Sequence, residues 1–404
     1  MADHHVRVLT DDELRPSLEL FRAATHRPPD SDANWETLRH GYPPGRQFGV
    51  FSGDSLTGMA HTFGARLRTP GGVVPMGALT KLGVRADHTR RGIAGALVRH
   101  HLRDCTERGE IVAGLRASHT GIYGRFGYGI ATNARQYNLR PGLERLHADA
   151  PAGGSVRLLD RTEIGKTVPG LVERIGLYRP GMMSRPAEWY AAHLDLPLNK
   201  GEDIRFAVHS GPDGDDGFVG YGTVHDGNWA EHSFRTILEV QSLYALTPQV
   251  YAGLLRFLLS IDLVDEIRLW QRPFDEPVEW MLQTTESLVT RHHSDELWLR
   301  LVDVPAALAA RGFPDDVELV LEVRDGFLPE NTGRYRVRGA EVGRTTAEPD
   351  LTLSASALSS LYLGLATPAT LAGAGRLIGR DEESLTRAGR MFLTPQSPWC
   401  GTFF

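Results

Sequence analysis

The stretch Gly77–Val84, "GALTKLGV", is an apolar run of strand length, and the chain leaves it through "RADHTRRG" directly into "IAGALVRHHL". In the last of these segments Ile93, Ala94, Leu97 and Leu102 recur at near-helical spacing, which predicts a helix over residues 93–107. A strand that enters a helix through Arg90, Arg91 and Gly92 fixes where the first N–H groups of that helix point. Those groups have no intrahelical partner and sit at the positive end of the helix dipole, so residues Arg90, Arg91, Gly92, Ile93, Ala94 and Gly95 form an anion cradle. Gly92 and Ala94 are small enough for close backbone approach, and a pyrophosphate suits such a cradle. Taken alone, the pattern also fits a plain turn closed by Gly92 between solvated arginines.

The flanking pattern places this stretch in an α/β unit. "VRVL" reads as a strand, and the following segment reads as a helix in which Thr10 and Glu13 have capping-box spacing. Residues 46–84 alternate apolar and polar positions around turn signals at "SGD" and "TPGG", which predicts an antiparallel meander. After the 93–107 helix comes the apolar strand "IVAGLRAS". A cluster of Ala, Pro and Gly in "HADAPAGGSVRLLD" then marks a boundary near residue 147.

The middle third repeats the order of meander, strand, helix and strand through "RFAVHSGPDGDDGFVGYGTVHD", "TILEVQSLYAL", "PQVYAGLLRFLLSID" and "EIRLW", without any counterpart of "RRG". That is the signature of a duplicated α/β fold. From about Leu297 the pattern changes to "LWLRLVDVPAALAARGF" and "VELVLEVRDGFLPENTGRYRVRG", a small α+β module with an apolar interior. A chain of 404 residues allows two to three domains at about 150 residues each. The expected division is 1–147, 148–294 and 295–404.

Charge and composition exclude several classes. The formal net charge of -6 argues against a nucleic-acid-binding surface, which leaves a small-molecule partner. No uncharged apolar run reaches the ~18 to 20 residues that cross a bilayer, and the first residues are not signal-like, so a cytoplasmic protein without membrane association is expected. Only Cys105 and Cys400 occur, far apart and without a CxxC partner, which excludes a disulfide framework and a thiolate zinc site. The pairs His100–His101 and His292–His293 lack a carboxylate at HExxH spacing, so no metal is expected, and there is no GxSxG elbow for a serine hydrolase.

The cradle between a meander and an apolar strand resembles the acetyl-CoA motif of the GNAT superfamily of N-acetyltransferases, [RQ]xxGx[GA], with Thr89 standing at the first position. The segment "LRASHTGIYGRFGYGIATNARQYNL", residues 115–139, resembles more specifically the Eis family of bacterial acetyltransferases. The likeness covers essentially the whole chain, including "SLYLG" at 360–364 and the aromatic residue at 404. It implies tandem GNAT-like domains followed by a sterol-carrier-like domain, acetyl-CoA as co-substrate, and a homo-oligomer, trimer or hexamer. The pantetheine arm would lie along Leu82, Gly83 and Val84, and Ser118 and His119 would contact the cofactor. His119 stands where the family commonly has an acidic residue.

The resemblance further implies that Tyr123 is the general acid that protonates the departing CoA thiolate, and that the α-carboxylate of Phe404 is the general base. A phenol of pKa ~10 can give a proton to a thiolate forming beside it. A terminal carboxylate of pKa ~3.3 to 3.7 is a weak base and would work through water or a perturbed environment. Tyr123 as a core aromatic, Tyr128 as a rival donor and Phe404 as a packing plug are the structural alternatives. The acceptor implied is an amine of a polycationic molecule, aminoglycosides first, then polyamines and protein lysines. Asp30, Asp32, Trp35 and Glu36 in "RPPDSDANWETL" are the candidate acceptor-binding residues, with Phe403 at the penultimate position where an acidic residue is expected. An acyl-CoA- or lipid-binding protein without transfer is the reading from another class, and for the last module a scaffold role stands against lipid binding.

Overall fold

The computed structural model describes residues 4–142, 145–228, 230 and 233–404. Strands β1 (Val6–Val8), β2 (Gln47–Ser52), β3 (Ser55–Arg68), β4 (Val73–Val84), β5 (Val112–Leu115) and β6 (Gly129–Ile130) come first in the chain. Helices α1 (Asp11–Ala24), α2 (Asp32–Leu38), α3 (Ile93–Glu107) and α4 (Thr120–Tyr123) lie among them. The capping box expected at Thr10 and Glu13 is present, and the Glu13 carboxylate accepts the Thr10 N–H at 2.9 Å. The meander is β2-β3-β4, all antiparallel, and β4 pairs with β5 in parallel as the crossover through α3 requires.

Helices α1 and α3 cover opposite faces of this sheet. A Cβ on Gly58 would fall 2.4 Å from the Ile93 side chain of α3, whereas one on Gly83 would fall 3.2 Å from Leu20 of α1. Gly58 and Val84 are directly paired, as are Met59 and Gly83, so the two faces alternate along β3 and β4.

Strands β7 (Asn133–Leu139), β8 (Ser155–Leu158), β9 (Arg205–Gly211), β10 (Gly214–Asp226), β11 (Arg235–Ala245), β12 (Glu266–Arg272) and β13 (Val289–Asp295) form a second sheet in the order β13-β7-β12-β11-β10-β9-β8. Its β9-β10-β11 meander, the helix Pro248–Leu259 and the parallel pairing of β11 with β12 repeat the arrangement of the first sheet. The corresponding helix is capped by its own Thr247 hydroxyl, which accepts the Val250 N–H, so the anion-cradle chemistry has no counterpart there.

The sheets divide the chain at other points than 147 and 294. Strand β7 precedes residue 147 yet belongs to the second sheet, and β14 (Trp298–Leu301), expected in the last module, lies in the first sheet between β5 and β6. Two structural units result, one of residues 1–132, 179–192 and 295–404, the other of 133–178 and 193–294. Which sheet a strand joins is decided by long-range pairing, and a strand's own residues do not record it.

The last module contributes a five-stranded sheet, β17-β16-β15-β18-β19, made of β15 (Glu318–Arg324), β16 (Gly333–Arg338), β17 (Glu341–Arg344), β18 (Leu351–Ser354) and β19 (Leu377–Gly379). Its core is continuous with one face of the first sheet, so that Met76, Val112 and Leu299 share a buried cluster with Leu321, Tyr335, Leu358 and Tyr362. Each such aliphatic side chain contributes roughly 1.5–3 kcal/mol by leaving water. Among the described residues no helix is long and apolar enough to cross a membrane.

Candidate active site

The helix α3 begins at Gly92, whose φ of 90° lies in the left-handed region that favours glycine. Among the described residues no side chain caps this end, and the first intrahelical bond runs from Ala96 N–H to the Gly92 carbonyl at 3.0 Å. The N–H groups of Ile93, Ala94 and Gly95 therefore precede the ladder and face outward at the positive dipole end. Arg90 is exposed beside them, with a positive φ of 62°. The side chains of Thr89 and Arg91 fold back onto the loop, donating to the carbonyls of Ala86 at 3.1 Å and Asp87 at 2.9 Å. The cradle is thus made of backbone, and Thr89 at the first motif position leaves it intact.

Next to the cradle, β4 and β5 part. Their parallel register runs from Met76 opposite Val112 to Leu79 opposite Leu115 and stops. The same point carries a bulge, since His61 pairs with Lys81 and Thr62 with Leu79, leaving Thr80 as the extra residue. A bulge strengthens local twist and turns the strand away from its neighbour. Beyond it, Thr80, Leu82 and Val84 keep β3 on one edge and, among the described residues, pair with no strand on the other, so the backbone of Thr80–Val84 and that of Arg116–Tyr123 leave the shared ladder at the same level. An extended ligand laid along that edge would meet free backbone groups, with its anionic end at the α3 mouth.

The chain after β5 holds Ser118, His119 and Tyr123. His119 is the N-cap of α4, its Nδ1 accepting the Gly121 N–H at 3.2 Å. Tyr123 closes α4 and is buried, its ring edge-on to Tyr128 at 6.1 Å. Burial pushes the Tyr123 phenol above its ordinary value, while the hydroxyl of Ser118 beside it works the other way, so the phenol keeps its proton at neutral pH. Tyr128 is buried too, with a hydroxyl that has no partner among the described residues.

Phe404 is also buried, its ring edge-on to Phe63 of β3 at 6.0 Å, two residues past His61 at the bulge. The segment that carries it, 399–404, has no secondary structure; it is held by the Trp399 N–H, which donates to the Pro180 carbonyl at 2.8 Å, and by side chains. The Glu296 carboxylate accepts the N–H of Cys400 at 2.9 Å and of Gly401 at 2.8 Å, and the Thr132 hydroxyl at 3.0 Å. Arg116, the first residue after β5, donates to the Thr402 carbonyl at 3.3 Å, and Trp189 donates to the Phe403 carbonyl at 2.6 Å. Burial raises the Glu296 carboxyl above the usual range, against the pull of Arg116 and the two N–H groups.

On the α1 face, Asp30 is gripped in a two-pronged pair by Arg22 at 2.8 Å, Asp32 pairs with Arg15 at 2.6 Å, and Glu36 with Arg39 at 3.2 Å. The three carboxylates expected to receive a polycation are each matched by a guanidinium. Trp35 stacks on Tyr42 at 5.8 Å. Phe403 is exposed beneath the Arg116 guanidinium, 5.0 Å from its ring centre. Sequence reasoning missed Arg116, Trp189 and Glu296, which carry no motif. It also passed over His61 and Lys81, although a lone lysine inside an apolar strand was a visible signal. Among the described residues no group of histidine, cysteine and carboxylate side chains could hold a metal ion.

Residues 5–131 and 181–301 match family models described as acetyltransferase (GNAT) domains, and residues 304–401 match a sterol carrier protein domain. The fold and cradle therefore define an N-acyltransferase of the GNAT class. An N-acetyltransferase Eis of Mycobacterium tuberculosis is 33% identical over 406 residues, covering 95% of this chain and 96% of its own. An uncharacterized N-acetyltransferase of Streptomyces avermitilis is 34% identical over 376 residues, 90% of each chain. The crystal structure of Eis1 from Mycobacterium abscessus superposes with a TM-score of 0.89 at 34% identity over 100% of both chains. The chain belongs to the Eis family of GNAT N-acetyltransferases, enzymes that move an acetyl group from acetyl-CoA to an amine.

Proposed function

We propose that this enzyme acetylates a primary amine of a small molecule, with Tyr123 as general acid and the Phe404 carboxylate as general base. The observation that carries the reading is the end of the β4–β5 pairing at the Thr80 bulge, with an uncapped helix mouth after β4, a buried protonated phenol in the chain after β5 and the buried Phe404 packed against Phe63 of β3. Leu82, Gly83 and Val84 would line the pantetheine arm, and Arg90 with the N–H groups of Ile93 to Gly95 would hold the pyrophosphate. The amine, losing its proton through water to Phe404, attacks the thioester carbonyl. The carbon–sulfur bond then breaks, and the sulfur takes the Tyr123 proton.

Aminoglycosides are the first acceptors that the family resemblance suggests, with polyamines and protein lysines next. Asp30, Asp32, Trp35 and Glu36 do share one stretch on the α1 face, but the arginine on each carboxylate favours a second reading, an acceptor with fewer cationic groups. A cytoplasmic homo-oligomer remains part of the proposal. The test is release of free thiol from acetyl-CoA against a panel of amines, with Tyr123→Phe and a variant carrying residues appended after Phe404. Both variants should bind acetyl-CoA and lose most turnover. Full turnover in the extended variant would remove the carboxylate from the mechanism, and acetyl-CoA binding without transfer to any amine would favour an acyl-CoA-binding protein.

A further inference from the structure

The α1 face beside the bulge holds polar groups that no described residue satisfies. Lys81 follows the bulged Thr80 and, two residues before Gly83, turns to the α1 face, where its cross-strand partner His61 also lies. The Lys81 ammonium stands 5.5 Å from the centre of the Tyr42 ring and makes no hydrogen bond or ion pair among the described residues. The nearby carboxylate of Asp30 is occupied by Arg22. That pair is neutral, so among the described residues Lys81 leaves this group of side chains with one uncompensated positive charge.

Two further groups stand beside it. The buried Tyr42 hydroxyl has no partner among the described residues. His61 is buried and held neutral, burial and the Lys81 charge both depressing its pKa. Its Nε2 lies 2.8 Å from the Ser17 oxygen, whose own proton goes to the Leu14 carbonyl at 2.6 Å. Nε2 therefore carries the ring proton, and the partnerless Nδ1 is a bare lone pair. A cation, a hydroxyl and a lone pair unmet in one place form a receptor for a molecule with both an anionic group and an N–H. Unmet buried polar groups are costly, and a ligand that satisfies them is favoured over one that does not.

We propose that Lys81 sets acceptor specificity, selecting an amine that also carries a carboxylate, as an amino acid does, with the Tyr42 hydroxyl as second donor and His61 Nδ1 accepting an N–H. The assignment rests on the transferase reading above and names its substrate class. Polycations are disfavoured because each would bring like charge to an uncompensated ammonium.

The experiment uses the full chain, acetyl-CoA and paired acceptors differing only in the carboxylate, tryptophan against tryptamine and lysine against cadaverine, with spermine as the polycation. For the unmodified enzyme kcat/KM should favour the carboxylate-bearing member by about tenfold or more, and Lys81→Met should bring the two within about twofold while the KM for acetyl-CoA holds. Lys81→Glu should raise kcat/KM for spermine by about tenfold. Tyr42→Phe should weaken the same preference by a smaller factor, and far-UV circular dichroism checks that each variant folds. A preference for the decarboxylated partner, or a ratio unmoved by Lys81→Met, overturns the proposal. Turnover confined to spermine or an aminoglycoside overturns it and leaves the transferase intact, whereas absence of thiol release with every amine overturns both.

Discussion

The Glu296 carboxylate receives the Gly401 N–H at 2.8 Å, and through this bond and its twin to Cys400 a chain segment without secondary structure is anchored inside a folded unit. Hydrogen bonds to a charged group contribute about 1.5–3 kcal/mol each, and chain ends without such ties fray. Replacing Glu296 with Ala should lower the melting temperature by several degrees and let carboxypeptidase remove Phe404 from otherwise folded protein. If turnover depends on Phe404, deleting Phe404 in the Glu296→Ala background should cause little further loss, because the two changes act through one group. Independent, multiplying losses would show that Glu296 serves stability alone.

Tyr123→Phe keeps the ring packed against Tyr128 and removes only the proton donor. Turnover should fall by about 10²- to 10⁴-fold with KM for acetyl-CoA little changed. Because burial raises the phenol's pKa, the unmodified enzyme should show no loss of activity from Tyr123 ionisation between neutrality and its ordinary value of about 10. A falling limb near neutral pH that vanishes in Tyr123→Phe would contradict this.

Gly92 adopts a φ of 90° at the mouth of α3. A β-branched residue is strained there by about 1–3 kcal/mol, and relief of that strain tilts the N–H groups of the cradle. Gly92→Val should weaken acetyl-CoA binding, read by calorimetry, more than it lowers the melting temperature of the free enzyme.

Burial and the neighbouring Arg22 push the Lys81 amine down to about 8, with Asp30 opposing. The unfolded chain therefore binds more protons than the folded one between about 8 and the ordinary value of about 10.4, and stability at this site rises with pH across that window. Below that window Lys81 is charged in both states, and the cost of holding the charge in the folded protein is fully present. Lys81→Met should accordingly raise the melting temperature at pH 7, and the gain should shrink toward pH 10. A gain independent of pH would place its cause in packing rather than charge.

Much of the first unit was legible in its sequence because its signals are local. The Thr10 capping box, the 93–107 helix and the turn at Gly92 are each written in a few adjacent residues, and the structure places them as expected. The duplicated order of elements in the middle third was equally plain. What escaped is what pairing over distance decides, namely that β7 leaves the first segment for the second sheet and that Trp298–Leu301 returns to the first. Arg39 stands three residues from Glu36, a spacing readable in the sequence, whereas the pairing of Arg22 with Asp30 and of Arg15 with Asp32 depends on how α1 meets the chain at 30–32. The anchoring of the last residues by Glu296 depends on contacts across more than 100 positions and leaves no trace in spacing.

Strand β14 sits between β5 and β6, so the first sheet stays incomplete until residue 301 has been synthesised. A nascent chain halted before that point presents two open strand edges flanking Tyr123. On the ribosome this protein must wait for its second unit to emerge before its first can close, and an isolated 1–132 fragment should be prone to aggregate.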